Sequence, residues 1–190
     1  MAIMHRMHHD PKTQSGPQTT GVTIHWISQY DLFAHLMGLG VDGSNSRLIT
    51  EMAKIKPGDK VLDVGCGTGD LTLAAAKYIG ATGSAYGIDA APEEIEIARK
   101  KAQRSDSNAI FNVGLIEKLD FADATFAIVI SRLVIHHLPH DLKRQGFREI
   151  YRMLKPGGLV FIADFKPPTS PLLAHLTSAS ACIPGLTKFN

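Results

Sequence analysis

The fold is decided by the stretch Val61-Leu62-Asp63-Val64-Gly65-Cys66-Gly67-Thr68-Gly69-Asp70-Leu71. Its apolar start predicts a buried β-strand, its glycines predict a tight turn, and its end begins a helix. Glycine suits such a turn because a Cβ atom would block the approach of a ligand to the backbone, and because other residues reach the required dihedral angles only at a cost. The stretch therefore predicts a βα turn at which a ligand contacts the main chain.

The spacing of the glycines distinguishes two kinds of nucleotide-binding turn. The dinucleotide fingerprint GxGxxG would need a glycine at position 70 or 72, where this chain has Asp70 and Thr72. The observed pattern is GxGxG, preceded by the acid Asp63. This spacing disfavours a nicotinamide or flavin oxidoreductase, which stays a weaker alternative.

On both sides of the turn, short apolar runs alternate with amphipathic helices. Strands are predicted near residues 60–64, 84–89, 109–113, 126–131 and 159–164. This alternation is typical of an α/β, Rossmann-like, doubly wound fold, in which a mainly parallel sheet has helices on both faces.

Two of the predicted helices carry signals of their own. Pro92 fits the first position of one helix, and Glu93 and Glu94 suit its positive end. The other begins near Asp141 and ends before Pro156. It is expected to bury Leu142, Phe147, Ile150, Tyr151 and Leu154.

Composition excludes several classes of protein. With 190 residues, of which 44% are hydrophobic and 20% charged, the chain suits one compact domain. The net charge of +2, without a long basic run, gives no reason to expect nucleic acid. Only Cys66 and Cys182 are present, which suits a reducing cytoplasm, and the apolar runs are too short to span a membrane.

The GxGxG pattern after an acid resembles motif I of the class I S-adenosylmethionine-dependent methyltransferases. The resemblance continues at Gly87-Ile88-Asp89, where Asp89 follows Gly65 by 24 residues. In that family the acid at this place binds both ribose hydroxyls of the cofactor, and an ionised carboxylate is well matched to a diol. An N-cap of the helix that begins at Pro92 is the other interpretation of Asp89, and the two roles are compatible.

Four further segments are similar to the same family. Residues 121–131 resemble the run into strand four, residues 134–138 the segment after it, and residues 154–159 the turn before strand five. Tyr30-Asp31-Leu32 resembles the entrance helix of the ubiquinone and menaquinone biosynthesis C-methyltransferases. The resemblance implies methyl transfer by in-line displacement to a small-molecule or lipid-like, quinone-like acceptor, with S-adenosylhomocysteine as the product. A non-catalytic module that binds the cofactor or another protein is the alternative.

The resemblance also implies which residues contact the cofactor. They lie in the entrance helix, in motif I and at the ends of the following strands: Tyr30, Asp63, Gly65, Cys66, Gly67, Gly69, Asp89, Ala90, Leu115, Ile116, Ser131 and Leu133. The tyrosine ring suits a sulfonium cation. Leu115 stands where many relatives have an acid that recognises adenine, so apolar packing of the adenine is expected. Ala127 likewise replaces a common aspartate.

A general base is needed only when the acceptor is a poor nucleophile. His136 and His137 are the candidates, because they follow strand four at the edge of the sheet where such folds bind ligands. Their alternative role is packing within a loop. With His140 they also suggest a metal, but no acid or cysteine nearby completes a set of ligands, so none is expected. Cys66 is interpreted as a small buried residue and not as a nucleophile.

The sequence predicts three regions. Residues 1–22 form a disordered arm, residues 23–56 form entrance helices, and residues 57–190 form a cofactor-binding methyltransferase domain that is short at its C-terminus. The second entrance helix is expected to be capped by Ser44 or Ser46. Its predicted apolar face consists of Leu48, Ile49, Met52 and Ile55.

The C-terminal region departs from the family, whose sheet has seven strands in the order 3-2-1-4-5-7-6. Only 26 residues follow Asp164, and at most one short helix is expected among residues 172–181. The last two strands are therefore predicted to be missing, which leaves strand five as an exposed edge. Either the chain is shortened here or a homodimer covers the edge. A monomer with all seven strands would contradict this prediction.

Overall fold

A computed structural model describes residues 43–164 of the chain. The predicted arm, Tyr30 and the predicted C-terminal helix lie outside the described residues. The elements in chain order are α1 (Gly43–Met52), β1 (Lys60–Val64), α2 (Asp70–Ile79), β2 (Ser84–Asp89), α3 (Pro92–Arg104), β3 (Ile110–Val113), β4 (Phe126–Arg132), a 3-10 turn (Ile135–His137), α4 (His140–Met153) and β5 (Leu154–Ala163).

The five strands form one sheet in the order β3-β2-β1-β4-β5, and every neighbouring pair is parallel. The central strand β1 pairs with β2 on one side and with β4 on the other, so Val61 lies between Ala85 and Ile128. The chain reverses its direction of winding at β1. In such sheets a crevice forms at that point, beside the carboxyl ends of the strands, and it is where ligands bind.

The sheet has a hydrophobic core on each face. Val61 belongs to the core that includes residues of α2, whereas Leu62, the next residue, belongs to the core that includes Ile150 and Met153 of α4. This alternation follows from the period of two along a strand. It confirms the predicted doubly wound fold with helices on both faces.

The predicted strand positions are confirmed, but β5 begins five residues earlier than expected. Leu154 already pairs with Phe126, whereas Leu159 pairs with Ile128. Between these two pairs the chain advances by five residues along β5 but by only two along β4, so β5 contains a large bulge. Gly157 lies in this bulge with a φ of 78°. The Pro-Gly-Gly sequence therefore forms a bulge within the strand and not a turn before it.

Two residues of the predicted buried face of α4 are exposed. Leu142 and Ile150 are buried as expected, but 40% of Phe147 and 82% of Tyr151 are accessible to solvent. The helix packs through Gly146 instead, where an added Cβ would lie 2.7 Å from Cγ1 of Ile116. Ile116 lies in the loop after β3, so the small glycine lets α4 pack closely against this loop.

The prediction for α1 was right for two residues of its apolar face and wrong for the other two and for the cap. Ile55 is buried in the core and Ile49 packs against it. Leu48 and Met52 are more than half exposed, whereas Ser46 and Thr50 are buried. The helix begins at Gly43, so Ser44 and Ser46 both lie inside it. Small residues face inward because α1 packs closely against α2, which the apolar spacing alone did not indicate.

Strand β5 has β4 as its sole partner among residues 43–164. Its apolar side chains Leu159, Val160 and Ile162 are 37 to 46% exposed. The described part of the sheet thus ends in an apolar edge strand, as predicted. In this part of the chain no helix is long and apolar enough to cross a membrane.

Candidate functional site

The glycine-rich turn between β1 and α2 is attached to the end of β2. The backbone N–H groups of Gly65 and Cys66 both donate to the carbonyl of Ile88, at 2.8 and 2.9 Å. Gly65, Gly67 and Gly69 all have positive φ, at 72, 52 and 86°. The left-handed backbone explains why the turn uses glycine at these three places.

Two of these glycines also leave no room for a side chain. A Cβ on Gly69 would lie 2.8 Å from the ring of Phe111 and 2.9 Å from Ala98. A Cβ on Gly65 would collide with the isopropyl group of Val134, in the segment after β4. The turn is therefore packed against two neighbouring parts of the sheet edge.

Asp89 ends β2 beside this turn. One carboxylate oxygen accepts the N–H of Gly67 at 3.0 Å, and the other accepts the N–H of Ala91 at 2.9 Å. Burial raises the pKa of the Asp89 carboxyl, and the backbone hydrogen bonds oppose that rise. Because each carboxylate oxygen accepts more than one hydrogen bond, the group can still receive two hydroxyls.

The interpretation of Asp89 as an N-cap was wrong. The residue at the N-cap of α3 is Ala91, which makes no side-chain capping bond, and Pro92 takes the first position as predicted. Asp89 instead joins the glycine turn to the loop before α3.

Asp63, the acid of the motif, is buried within β1 and 1% exposed. Its carboxylate accepts the hydroxyl of Thr72 at 2.7 Å. Burial raises its pKa to about 7, although the Thr72 hydrogen bond and the charge of Arg132 lower it. Both protonation states are therefore populated near neutral pH, which is unusual for an aspartate.

The thiol of Cys66 is unsuited to nucleophilic chemistry. Burial, with the negative charges of Asp63 and Asp89, raises its pKa well above the usual value. The side chain packs against the cluster that contains Ile95 and Phe111. Cys66 is thus a half-buried packing residue, less buried than the sequence predicted.

The segment after β3 lies next to the same edge. The N–H of Gly114 donates to the carbonyl of Asp89 at 2.9 Å, and Leu115 forms an isolated bridge with Lys118. Leu115 and Ala90 are half-buried, whereas Ile116 is buried in the core under α4. The side chain of Leu115 thus provides an apolar surface at the position predicted to contact adenine. The side chain of Ile116 packs in the core instead.

The end of β4 is tied to both of its neighbours. The buried hydroxyl of Ser131 donates to the carbonyl of Val64 at 2.9 Å, and the N–H of Leu133 donates to the carbonyl of Ala163 at 2.8 Å. Leu133 has a positive φ of 58°, which is strained for a leucine. Such strain is often found at functional sites.

His136 forms a pair with Asp164 that sequence reasoning missed. The carboxylate contacts Nδ1 of the ring at 2.5 Å with one oxygen and accepts the backbone N–H of His136 at 3.0 Å with the other. The ring of His137 lies 3.8 Å from that of His136, and burial and this neighbour lower the pKa of His137. Asp164 directly follows β5, so its place at the sheet edge was the available signal.

The predicted site residues fall into two groups. We call Asp63, residues 65–69 and Asp89 the glycine region, and residues 131–137 with Asp164 the histidine region. The contact between Gly65 and Val134 brings the two regions together at the carboxyl edge of the sheet. Tyr30 lies outside the described residues, and no cluster of three potential metal ligands occurs within them.

The glycine region fits S-adenosylmethionine by the chemistry of its groups. Asp89 offers a carboxylate to a diol, and the three glycines give the adjacent turn the left-handed backbone that this motif requires. The histidine region adds a paired imidazole at the same edge.

Residues 61–158 match the family described as "Methyltransferase domain". The chain is 37% identical over 151 residues to a demethylmenaquinone methyltransferase from Chlorobaculum parvum, covering 77% of this chain and 59% of the relative. It is 31% identical over 166 residues to the ubiquinone/menaquinone biosynthesis C-methyltransferase UbiE of Hydrogenovibrio crunogenus, covering 86% of this chain and 65% of that protein. The chain thus spans about three fifths of the length of these curated relatives.

The fold is similar to that of solved structures as well. The crystal structure of the YcgJ protein from Bacillus subtilis superposes with a TM-score of 0.62 at 31% identity. The match covers 72% of this chain and 57% of that protein.

Proposed function

Because the chain belongs to the class I S-adenosylmethionine-dependent methyltransferases, and resembles the UbiE type among them, we propose that it methylates a small molecule. The family match covers more than half of the chain and contains both motif I and Asp89. The cofactor supplies a methyl group activated by a sulfonium centre. The protein supplies the binding site and the alignment of the acceptor, which is most of the catalysis in a displacement of this kind.

The observation that carries the proposal is the position of the Asp89 carboxylate against the glycine turn. The contact with the N–H of Gly67 fixes the carboxylate beside a turn in which three of five residues are glycine. In this proposal Asp89 receives the ribose hydroxyls, while Gly65, Gly67 and Gly69 allow the cofactor to approach the backbone.

The remaining proposed contacts follow the sheet edge. Ala90 and Leu115 are half-buried beside Asp89 and suit the apolar face of the adenine. Asp63 and Ser131 hold the two ends of the turn. Asp63 accepts the hydroxyl of Thr72 in α2, and Ser131 donates to the carbonyl of Val64 at the end of β1. They act on the cofactor through the turn that they hold in place.

The proposed acceptor is quinone-like. The two relatives above are named for methylation of demethylmenaquinone and for ubiquinone and menaquinone biosynthesis. The chain has no excess of basic charge that would favour nucleic acid as a substrate.

A homodimer through β5 is part of the proposal. The exposed apolar residues Leu159, Val160 and Ile162 lie on a strand with one open edge in the described sheet. Unprotected edges of this kind pair readily with other strands. A second copy of the chain would cover this edge by pairing with β5.

The cofactor site is tested by calorimetric titration of the protein with S-adenosylmethionine and S-adenosylhomocysteine. Replacement of Asp89 by alanine is expected to weaken binding by roughly a hundredfold, because two hydrogen bonds to a charged group are lost. Glu96→Ala is the control, since it removes an exposed carboxylate of α3 that pairs with Lys100. Equal affinity in the Asp89 variant and the wild type would contradict the proposed site.

Turnover distinguishes the enzyme from a module that only binds the cofactor. Reduced 1,4-naphthoquinone serves as the acceptor, and mass spectrometry detects its methylated product. Product formation that is lost with Asp89→Ala is the expected result.

A further inference from the structure

We infer that Asp164 is a positioning residue that holds His136 as the proton acceptor of the methyl-transfer step. The inference rests on the proposed function and adds a role for a residue that neither motif I nor the family resemblance indicated. Three features of the histidine region support it: the geometry of the pair, its place beside the glycine turn, and the contrast with His137.

The carboxylate of Asp164 holds His136 at two points. One oxygen contacts Nδ1 of the ring, and the other accepts the backbone N–H of the same residue. With a carboxylate at Nδ1, the neutral imidazole carries its proton there, so its basic lone pair is on Nε2. The side chain of Asp164 is 13% exposed and that of His136 is 29% exposed, so solvent screens the pair incompletely.

The pair is anchored at the proposed cofactor site. Val134, two residues before His136, occupies the space beside Gly65 of motif I. On the other side, the N–H of Leu133 is bonded to Ala163, which directly precedes Asp164. The carboxyl end of β5 thus fixes the loop after β4 against the glycine turn.

His137 lacks the features that the role requires. Burial and the neighbouring His136 lower its pKa, so its charged form is disfavoured. Asp164 bonds to both the ring and the backbone N–H of His136. The ring of His137 lies beside that of His136, tilted by 41°. The geometry therefore distinguishes between two histidines that the sequence left equivalent.

The acceptor atom forms a bond to the methyl carbon while the carbon–sulfur bond breaks, and that electron pair stays on sulfur. The proton that the acceptor loses goes to Nε2 of His136. Asp164 stabilises the resulting imidazolium through Nδ1–H, as a carboxylate does in a catalytic triad, and the proton then leaves to water.

The experiment uses the full chain with S-adenosylmethionine and reduced 1,4-naphthoquinone. Wild type is compared with Asp164→Asn, His136→Gln and the double variant. Asp164→Asn is expected to lower kcat about a hundredfold, within the range for general base catalysis, with KM and cofactor affinity changed less than about twofold. His140→Gln is the control, because it removes an exposed histidine at the start of α4.

Non-additivity separates positioning from a structural role. If Asp164 acts through His136, the double variant has the same kcat as His136→Gln alone. The inference is overturned if Asp164→Asn lowers kcat in the His136→Gln background by the same factor as in the wild type. It is also overturned if Asp164→Asn weakens cofactor binding and leaves kcat unchanged.

The tautomer of His136 gives a second readout that does not depend on turnover. Nitrogen-15 NMR is expected to show the Nδ1–H form in the wild type and loss of that preference in Asp164→Asn. If the tautomer in Asp164→Asn is the same as in the wild type, the inference is overturned. The proposed function still holds in that case, provided that the wild type turns over. Absence of cofactor binding or of turnover by the wild type overturns both.

Discussion

The glycine region and the histidine region lie at the same edge of the sheet but are built in different ways. The glycine turn and its acid Asp63 come from nine consecutive residues, 61–69, and Asp89 ends the neighbouring strand. The histidine pair joins residues that are 28 positions apart in sequence, one just after β5 and the other in the 3-10 turn after β4. The first region depends on backbone conformation, which local sequence encodes. The second region depends on how two strands are placed relative to each other, and local sequence does not encode that placement.

This difference has a consequence for stability. The glycine region contains a buried acid and crowded positive-φ glycines, all of which constrain the fold itself. The histidine region is more exposed and ends at the open edge of β5. Changes in the first region should therefore alter unfolding, whereas changes in the second should alter activity and association.

The largest expected effect comes from Asp63. Because its pKa is about 7 in the folded protein and near 3.8 when unfolded, the folded state binds the proton more tightly between these values. The free energy of unfolding should thus fall as pH rises from about 4 to about 7, by up to about 4 kcal/mol from this group. Asp63→Asn should remove most of that slope, as measured by urea unfolding at several pH values.

Thr72→Val provides the matched comparison for Asp63. It removes the hydroxyl that donates to the carboxylate and should raise the pKa of Asp63 further, extending the loss of stability to higher pH. If Asp63→Asn leaves the pH dependence unchanged, burial of Asp63 does not control the stability of the glycine region.

A smaller effect is expected from crowding at Gly69. Gly69→Ala should cost about 3 kcal/mol of unfolding free energy, because the new Cβ meets Phe111 and Ala98 in addition to the strain of positive φ. Gly157→Ala is the control: its φ is 78°, but nothing lies within 4 Å of the added atom. It should cost about 1 kcal/mol, from backbone strain alone. Equal losses in the two variants would show that crowding does not contribute.

The smallest effect on stability is expected at β5. Val160→Lys places a charge on the exposed edge and should change the unfolding free energy of the monomer by less than about 0.5 kcal/mol. It should nevertheless convert the proposed dimer into a monomer, as measured by analytical ultracentrifugation, because charged edges resist strand pairing. Tyr151→Lys on α4 is the control and should leave the dimer intact. A monomeric wild type would contradict the proposed association.

The same contrast explains which predictions from sequence were confirmed. The positions of β1 and β2 and the start of α3 at Pro92 were confirmed in full, because each depends on signals within a few residues. Of the five residues predicted to form the buried face of α4, two are buried, two are exposed, and Leu154 belongs to β5. Phe147 and Tyr151 have the spacing of core residues but are exposed, whereas Gly146 packs against Ile116 in the loop after β3. Hydrophobic periodicity does not record where two elements come nearest.

The sequence by itself determined the doubly wound sheet, the glycine turn and the acid at the end of β2, because strand alternation and positive-φ glycines are local properties. Only the tertiary structure decided that Asp164 pairs with His136 and that Asp63 has a pKa of about 7. It also decided that Pro156-Gly157-Gly158 forms a bulge of β5. The physical reason is shared: ion pairing, burial and register all depend on the distance between segments that are far apart along the chain.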